Sequence, residues 1–358
     1  MAARLFFALA LLTGAGHAGR TASVDEDRNG IPDELEIRLA NEFAPILFYD
    51  ADEPNLPATV DRFLKNTELW FFSKDCRPQR VRVAGLNGPR IPRKVLPSCG
   101  ASAQMIDSHG TRSTGKEFTF YLRNVPEAEQ RGSVDSEQWV TYVHTYRNDI
   151  GGITLQFWRF YPYNTGYFFG FRSEPASHGG DWEAIHIVLK GAGDRFVPVQ
   201  IGLLGHSDLS TKPWTDVITE AGHPLIRCLK GGHTSVLMST EDMAHRNRLI
   251  EQQSWDGGMV RWPDHRVSRS GPPLLLGQKT HPMPGMEWLE YSGLWGTREG
   301  SGMFSFYRSG YWSPAFNETG MGKDGFIAAW CAGMARTDAA AGGTPDFAKE
   351  CYPASAVP

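Results

Sequence analysis

Strand-like segments recur along most of this chain of 358 residues, and each is short enough to be a single β-strand. Apolar residues alternate with other residues within them, which is the period of side chains on a strand. The 39 Gly and 23 Pro residues punctuate the chain and favour many short strands over helix bundles. The pattern predicts a mainly β fold, namely a two-sheet, mostly antiparallel β-sandwich with peripheral helices and long loops. The predicted strands cover residues 46–49, 69–72, 117–122, 138–146, 154–161, 182–189, 196–203, 225–228 and 235–238.

Helical spacing marks a few further segments. Residues 32–43 begin with a proline and carry an apolar stripe, which is typical of a short surface helix. Thr240 can cap a helix over residues 241–253, and residues 325–334 also carry apolar side chains at helical intervals. We therefore expect helices at the periphery of the sandwich.

The N-terminus has the composition of a secretory signal peptide. A basic residue precedes an apolar run, and Gly-His-Ala fits a cleavage site with small residues. The run is too short to span a bilayer, and no later run could span one, so we expect a secreted or periplasmic protein. No internal repeat or convincing linker divides the remainder. The predicted organisation is a signal peptide over residues 1–18, an N-terminal loop with its exiting helix over 19–43, one elaborated β-sandwich domain over 44–335 and a loop-rich C-terminal tail over 336–358.

Five cysteines in an exported chain allow two disulfide bonds and leave one thiol. We expect the pairs Cys76 with Cys99 and Cys331 with Cys351, because each pair is local and flanked by loops rich in Pro and Gly. Cys228 lies in an apolar, strand-like segment and is predicted to be a buried free thiol.

The formal net charge at pH 7 is -4, and the sequence contains no basic tract and no nucleic-acid-binding motif. These features argue against nucleic acid as the ligand. The sequence also lacks a G-x-S-x-G nucleophile elbow and a Gly-rich phosphate loop, which argues against a serine hydrolase and a nucleotide-binding protein.

An acidic loop near the N-terminus has the spacing of an EF-hand calcium loop, D-x-D-x-N-G-x-x-D-x-x-E. Such a loop binds Ca²⁺ through side chains at positions 1, 3, 5, 9 and 12 and through the carbonyl at position 7. Only the exiting helix is present, so we expect a structural calcium site that fastens the N-terminus. The alternative is an acidic, capped turn before a helix. The predicted ligands are Asp25, Asp27, Asn29, the carbonyl of Ile31, Asp33 and Glu36.

A second candidate cation site lies in the sequence His-Gly-Gly-Asp-Trp-Glu. Alternation along a strand puts Asp181 and Glu183 on one side, and a turn at the two glycines would bring His178 over them. Two carboxylates close together in a partly enclosed place need a positive group between them. Oxygen-rich ligation favours Ca²⁺, Mg²⁺ or Mn²⁺ as this second divalent cation. The alternative is a strand end whose acids hydrogen-bond to loop amides or pair with Arg159 or Arg172.

These residues, with the preceding Phe-Trp-Arg-Phe-Tyr-Pro-Tyr-Asn, resemble the family named for vacuolar protein sorting-associated protein sixty-two. More distantly, they resemble the necrosis- and ethylene-inducing cytolysins. The resemblance extends to Ala-Pro-Ile-Leu-Phe-Tyr-Asp ending at Asp50, to Lys-Gly-Gly-His ending at His233 and to Tyr-Ser-Gly-Leu-Trp-Gly ending at Gly296. It implies the β fold of that superfamily over roughly residues 40–315.

The resemblance to the cytolysins implies a divalent cation held by His178, Asp181 and Glu183, with Asn164 in the place of an upstream aspartate. Gly180 stands where the cytolysins have a second histidine, and Asn164 offers a neutral oxygen instead of a charge. These departures imply weaker cation binding or a different surface ligand.

His233, which follows Lys-Gly-Gly, is the candidate to approach this cluster from another strand and to serve as a further ligand. Its alternative role is that of a hydrogen-bonded loop histidine. His144 and His186 lie within alternating segments, and we interpret both as structural.

Together these features predict an exported, divalent-cation-dependent binding protein that recognises a membrane surface or a glycan or lipid headgroup. Aromatic residues over 161–171 would supply stacking area beside the cation. One alternative is a metal-dependent hydrolase, in which the same ion lowers the pKa of a bound water and a carboxylate or His233 acts as the base. Another alternative is a structural surface protein whose cations only stabilise loops.

Overall fold

The structure is a computed structural model that describes residues 24–73, 76–82, 94–95, 106–107, 118–124, 127–148, 150–168, 171–172, 177–205, 208–255, 267–291, 293–296 and 314. The predicted signal peptide, the predicted helix over 325–334 and the C-terminal tail lie outside the described residues. Cys99, Cys331 and Cys351 also lie outside them, so both disulfide pairings stay predictions.

The described chain contains three α-helices, several short 3₁₀ helices and many strands. The α-helices are α1 (Asp33–Phe43), α2 (Val60–Lys65) and α3 (Thr240–His245). The strands are β1 (Ile46–Asp50), β2 (Thr67–Ser73), β3 (Cys76–Arg82), β4 (Lys94–Val95), β5 (Ile106–Asp107), β6 (Phe118–Asn124), β7 (Thr141–Arg147), β8 (Gly152–Asn164), β9 (Tyr167–Phe168), β10 (Phe171–Arg172), β11 (His178–Ala192), β12 (Arg195–Gly205), β13 (Asp208–Pro213), β14 (Thr219–Glu220), β15 (His223–Cys228), β16 (Ser235–Leu237), β17 (Leu249–Gln253), β18 (Val267–Arg269), β19 (Leu274–Leu275), β20 (Gly277–Gln278) and β21 (His281–Pro282).

The central sheet has the strand order β13-β12-β11-β8-β7-β19. Its pairs are antiparallel except for β19, which runs parallel to β7. The long strands β8 and β11 pair from Asn164 opposite His178 to Gly152 opposite Lys190. Nearly every residue of these two strands is buried, including the polar side chains that alternate with the apolar ones.

A second sheet, the β1 sheet, has the order β14-β15-β1-β17-β18, with β16 paired to β15. Here β1 runs parallel to β15 and antiparallel to β17. Strands β17 and β18 are parallel to each other. The predicted mainly β, sandwich-like fold is confirmed, with mixed sheets instead of uniformly antiparallel ones.

Apolar side chains between the central sheet and the β1 sheet form one core. Leu47 and Tyr49 of β1 belong to the same buried cluster as Phe157 of β8 and Ile185 and Ile187 of β11. Helix α1 adds its apolar stripe to this cluster. Each fully buried side chain of this size stabilises the fold by about 1.5–3 kcal/mol, so this core fixes how the two sheets face each other.

The other face of the central sheet packs against a tryptophan-rich cluster. Trp158 and Trp182 of the sheet share this core with Trp288, Trp295 and Phe63 of α2. The rings of Trp182 and Trp288 stack with centroids 5.4 Å apart, and Trp295 meets Trp182 edge-on at the same distance. Both faces of the central sheet are therefore covered, and charged groups on its strands lie in the interior.

The predicted helix over 32–43 is confirmed as α1, with Pro32 directly before its first turn. The predicted helix over 241–253 is wrong beyond its first turns, since α3 ends at His245 and residues 249–253 form β17. All five side chains of β17 are buried between β1 and β18. Sheet pairing has therefore overridden the helical spacing. In the described part of the chain, no helix is both long and apolar enough to cross a bilayer.

Candidate functional site

The His-Gly-Gly-Asp-Trp-Glu sequence forms the first half of β11, and the predicted turn at its two glycines is wrong. Gly179 remains paired with β8, and Gly180 has a φ of 62° within the strand. A Cβ on Gly180 would lie 1.8 Å from the carbonyl oxygen of Trp295, and a Cβ on Gly296 would lie 1.9 Å from that of Gly179. The glycines are therefore needed because the main chain of residues 293–296 lies directly against β11.

Asp181 and Glu183 are two residues apart on β11 and share one face of the central sheet. Asp181 is fully buried, and its Oδ2 accepts hydrogen bonds from Asn164 Nδ2 at 3.0 Å and His233 Nδ1 at 2.9 Å. Asn164 Nδ2 also donates to the carbonyl of Gly232 at 3.3 Å. Because both neighbours of this amide nitrogen are acceptors, Asn164 presents its NH₂ group to Asp181.

His233 lies in the loop before β16 and, as predicted, approaches the cluster from another segment. Its Nδ1 contacts Asp181, its Nε2 lies 2.9 Å from the carbonyl oxygen of Asn55, and Glu53 Oε1 is 3.5 Å from that Nε2. A neutral imidazole carries one N–H, so only the doubly protonated imidazolium serves both acceptors. The ring also stacks on Tyr161, with centroids 3.7 Å apart and planes inclined by 3°.

The backbone conformation of His233 is unusual, and its electrostatics favour the doubly protonated imidazolium. Its φ is 56°, a left-handed conformation that is uncommon for a residue other than glycine. Burial alone would lower its pKa, but hydrogen bonds to Asp181 and Glu53 and the charges of both carboxylates raise the pKa to about 9. The imidazolium therefore supplies a positive charge between two buried carboxylates.

Glu53 and Asn55 are site residues that the sequence analysis did not assign. Glu53 Oε2 accepts from the backbone N–H of Gly231 at 2.9 Å, and its Oε1 accepts from that of Asn55 at 3.0 Å. Asn55 Oδ1 accepts from Thr165 Oγ1. The available signal was the acidic stretch from Asp50 to Glu53 at the end of the apolar β1 segment.

Glu183 lies opposite Arg159 of β8 in the strand register. Arg159 is buried, and its guanidinium donates to Ser235 Oγ at 2.6 Å and to Cys228 Sγ at 3.6 Å. Burial alone would lower the pKa of Arg159, but the negative forms of Tyr161, Cys228 and other neighbours, including Glu183, raise it. Cys228 is buried and free, as predicted.

The protein thus places its own cation beside each central carboxylate, with His233 at Asp181 and Arg159 at Glu183. His178 is 4% exposed, and its Nδ1 lies 3.4 Å from the carbonyl oxygen of Gly179. His178, Asp181, Glu183 and His233 do not form a group of ligand atoms within 4.8 Å of one another. A metal ion at this central cluster stays a prediction.

A cleft of about 410 Å³ opens beside the buried His233 cluster. Leu56 N donates to the carbonyl of Arg131 and Asn55 Nδ2 to that of Gln130, both at 3.0 Å, so the loop after β1 is fixed to the 3₁₀ helix Glu127–Arg131. Val134 at this cleft is 93% exposed. The cleft is lined by residues 53–56, Gln130, Arg131, Val134, Tyr163 and Thr165.

The N-terminal loop gathers the predicted calcium ligands in one place. Carboxylate oxygens of Asp25, Asp27 and Asp33 lie within 4.8 Å of one another. Asn29 Nδ2 bridges two acids, since it donates to Asp27 Oδ2 at 3.0 Å and to Glu36 Oε1 at 2.8 Å. These side chains therefore fit a site for a hard cation.

The acids of this loop are buried and close together. Burial raises the pKa of Asp27 to about 6 and that of Glu36 to about 7, although hydrogen bonds to both carboxylates act to lower the pKa values. Each residue is 2% exposed, and among the described residues Glu36 Oε2 has no hydrogen-bond partner. An acid without a partner in the interior is costly in its ionised form, so a buried Glu36 carboxylate needs a positive group beside it.

No protein-family model matches this chain, and no curated protein matches it in sequence. Among solved structures, it is similar to the crystal structure of Necrosis and Ethylene inducing Protein 2 from the causal agent of cocoa's witches' broom disease. The match covers 69% of this chain and 80% of that chain, with 13% sequence identity and a TM-score of 0.30.

Proposed function

We propose that this protein is a non-enzymatic, divalent-cation-dependent binding protein that takes a sugar-containing lipid headgroup into the cleft beside His233. The observation that carries the proposal is a cleft of ligand size whose walls offer convergent polar groups and one aromatic ring. Secretion and the presence of a bound cation are parts of the same proposal.

Hydrogen bonds and ion pairs behind the cleft hold its walls in place. Such fixed walls favour a binding site. Glu53 and Asn55 meet the cleft on one side and His233 on the other. Arg62 forms a 2.7 Å ion pair with Glu129, which fixes the 3₁₀ helix that carries Gln130 and Arg131 to α2. A wall that is ordered before the ligand arrives lowers the entropic cost of binding.

The composition of the cleft favours a hydroxylated headgroup with a negative charge. Tyr163 is half-buried and supplies a ring against which a sugar face can pack. Gln130 carries an amide that suits hydroxyl groups, and Arg131 carries a guanidinium that suits a carboxylate or phosphate. Val134 at the rim is exposed and suits contact with the apolar part of a lipid.

The test is vesicle binding. Phosphatidylcholine vesicles with and without an acidic glycolipid are titrated with the purified protein, in CaCl₂ and in EDTA. We expect binding only to glycolipid vesicles in CaCl₂, and a drop of about tenfold or more for Arg131→Gln and for Tyr163→Ala, since one lost charged or stacking contact is worth about 1.4 kcal/mol or more.

The matched control is Arg195→Gln, which changes an exposed arginine at the start of β12 and should bind like the wild type. Equal binding of wild type and Arg131→Gln, or equal binding to vesicles with and without glycolipid, would refute the proposal.

A further inference from the structure

We infer that the N-terminal loop from Asp25 to Glu36 is a Ca²⁺ site, and that this loop, not the His178 cluster, makes ligand binding depend on a cation. The second part rests on the proposed function, whereas the first part stands by itself.

The loop concentrates negative charge, and the two arginines at it in the described structure, Arg28 and Arg147, are both exposed to solvent. The three carboxylates of Asp25, Asp27 and Asp33 converge within 4.8 Å. A fourth carboxylate, Glu36, is 2% exposed and shares the amide of Asn29 with Asp27, yet its Oε2 has no hydrogen-bond partner in the described structure. A buried, ionised oxygen with no donor is a position for a metal ligand.

The ligand set selects Ca²⁺ among hard cations. Side-chain oxygens of Asp25, Asp27 and Asn29, the Ile31 carbonyl and a bidentate Glu36 would give about six oxygens, with position 9 adding one through water. Mg²⁺ keeps several of its own waters and demands a stricter octahedron, so it is a poorer match to a set of this size.

The central cluster differs from the loop in its charge balance. Asp181 faces the His233 imidazolium at 2.9 Å, and Glu183 lies opposite Arg159 in the register. A divalent ion there would compete with two buried protein cations already in place, whereas the arginines at the loop, Arg28 and Arg147, are exposed to solvent and repel it less.

The loop is also attached to β7 of the central sheet and to β20. Thr145 of β7 donates to Glu36, Gln278 of β20 donates to Asp27 Oδ2 at 3.2 Å, and Arg147 donates to the carbonyl of Gly30. From the loop the chain continues through α1 into β1 and then directly to Glu53 and Asn55 in the cleft wall. A cation that holds the loop on the central sheet therefore stabilises the segment that forms this wall.

The experiment measures Ca²⁺ binding apart from vesicle binding, on the purified full-length chain after removal of any signal peptide. Calorimetric titration with CaCl₂ should give one site, and saturating Ca²⁺ should raise the melting temperature by about 5 °C relative to EDTA. The variant Asp25→Asn/Glu36→Gln should lose the binding heat and the shift while its circular dichroism stays that of the wild type. Glu34→Gln, which removes an exposed acid from the same turn of α1 but from no ligand position, should keep both.

Several results would overturn the inference. One is a wild-type protein that shows neither binding heat with CaCl₂ nor a shift in melting temperature. Another is a double variant that still binds one Ca²⁺ per chain. If the double variant has lost Ca²⁺ but binds glycolipid vesicles like the wild type, the link to ligand binding is refuted while the calcium site stands. If the double variant is unfolded, the test uses Asp25→Asn alone, which changes a half-exposed residue. This single variant must then weaken Ca²⁺ binding at least tenfold, and a smaller effect would overturn the inference. Absence of vesicle binding in every condition would refute the proposed function and leave the calcium result intact.

Discussion

A single buried side chain, His233, connects three segments that are far apart along the chain. It contacts Asp181 of β11, the loop after β1 at Asn55, and the ring of Tyr161 on β8. Its positive charge offsets carboxylates that would otherwise be costly to bury. At the scale of one residue, the shape of the cleft wall therefore depends on the protonated state of one imidazole.

Replacing His233 by Gln should destabilise the protein by about 3–5 kcal/mol, because Asp181 is left buried without its cation. The double variant with Asp181→Asn should recover part of that loss, because the uncompensated charge is then gone. Urea unfolding of the two single variants and the double variant measures this. Strictly additive losses would show that the two groups do not interact.

At the scale of elements, the packing of residues 293–296 on β11 explains Gly180 of the His-Gly-Gly sequence and Gly296 opposite it. The contact is between main chains, so a side chain at Gly180 or at Gly296 has no room. The same contact places Trp295 among the tryptophans that cover the other face of the central sheet.

Gly180→Ala should abolish folding or cost about 4 kcal/mol or more, because its Cβ would meet the Trp295 carbonyl oxygen, and a backbone atom cannot move aside cheaply. Gly193→Ala is the matched control, since Gly193 has a φ of 67° but nothing within 4 Å of the added Cβ. It should cost only about 1–2 kcal/mol, the cost of the left-handed conformation. The soluble yield and the urea midpoint of unfolding are measured for both variants. Equal losses of stability in the two variants would contradict the packing argument.

The sequence predicted the elements whose signals are local. The alternation in β8 and β11 located both strands and put Asp181 and Glu183 on one face. The role of Gly180 could not be predicted, because its partner is Trp295, more than a hundred positions away. Glu53 was missed for the same reason, since its hydrogen bond to Gly231 spans 178 positions. The helix predicted over 241–253 failed because β1, another distant segment, pairs with that stretch.

At the scale of the whole molecule, a row of buried polar side chains crosses the central sheet. His144 of β7 lies opposite Gln156 of β8, which lies opposite His186 of β11. His144 Nδ1 is 2.9 Å from Gln156 Oε1, and Gln156 Nε2 is 3.5 Å from His186 Nε2. Burial lowers the pKa of His144 to about 4 and that of His186 to about 3, so the fold requires both in the neutral form.

Acid should therefore destabilise the protein from pH 6.5 downward. In the unfolded chain both histidines bind a proton near pH 6.5, whereas the folded chain leaves them neutral until about pH 4 and 3. Their contribution is complete above pH 6.5 and decreases as the pH falls, by about 2 kcal/mol for each histidine at pH 5. Urea unfolding from pH 7.5 to 5 in CaCl₂ measures the slope. His186→Leu should reduce that slope, and an unchanged slope in this variant would rule out His186 as a cause.

The strand order of the β1 sheet constrains the time course of folding during synthesis. β1 leaves the ribosome early, but Ile46 pairs with Leu225 and Leu47 with Gln252. At about 5–20 residues per second, its neighbours follow roughly 10–40 s later. Until then an apolar strand with two open edges must be kept from pairing with other chains, which is the state that chaperones recognise. The strand β1 leads to the cleft wall, but its pairing partners are synthesised long after it. The cleft therefore forms only after most of the chain has been synthesised.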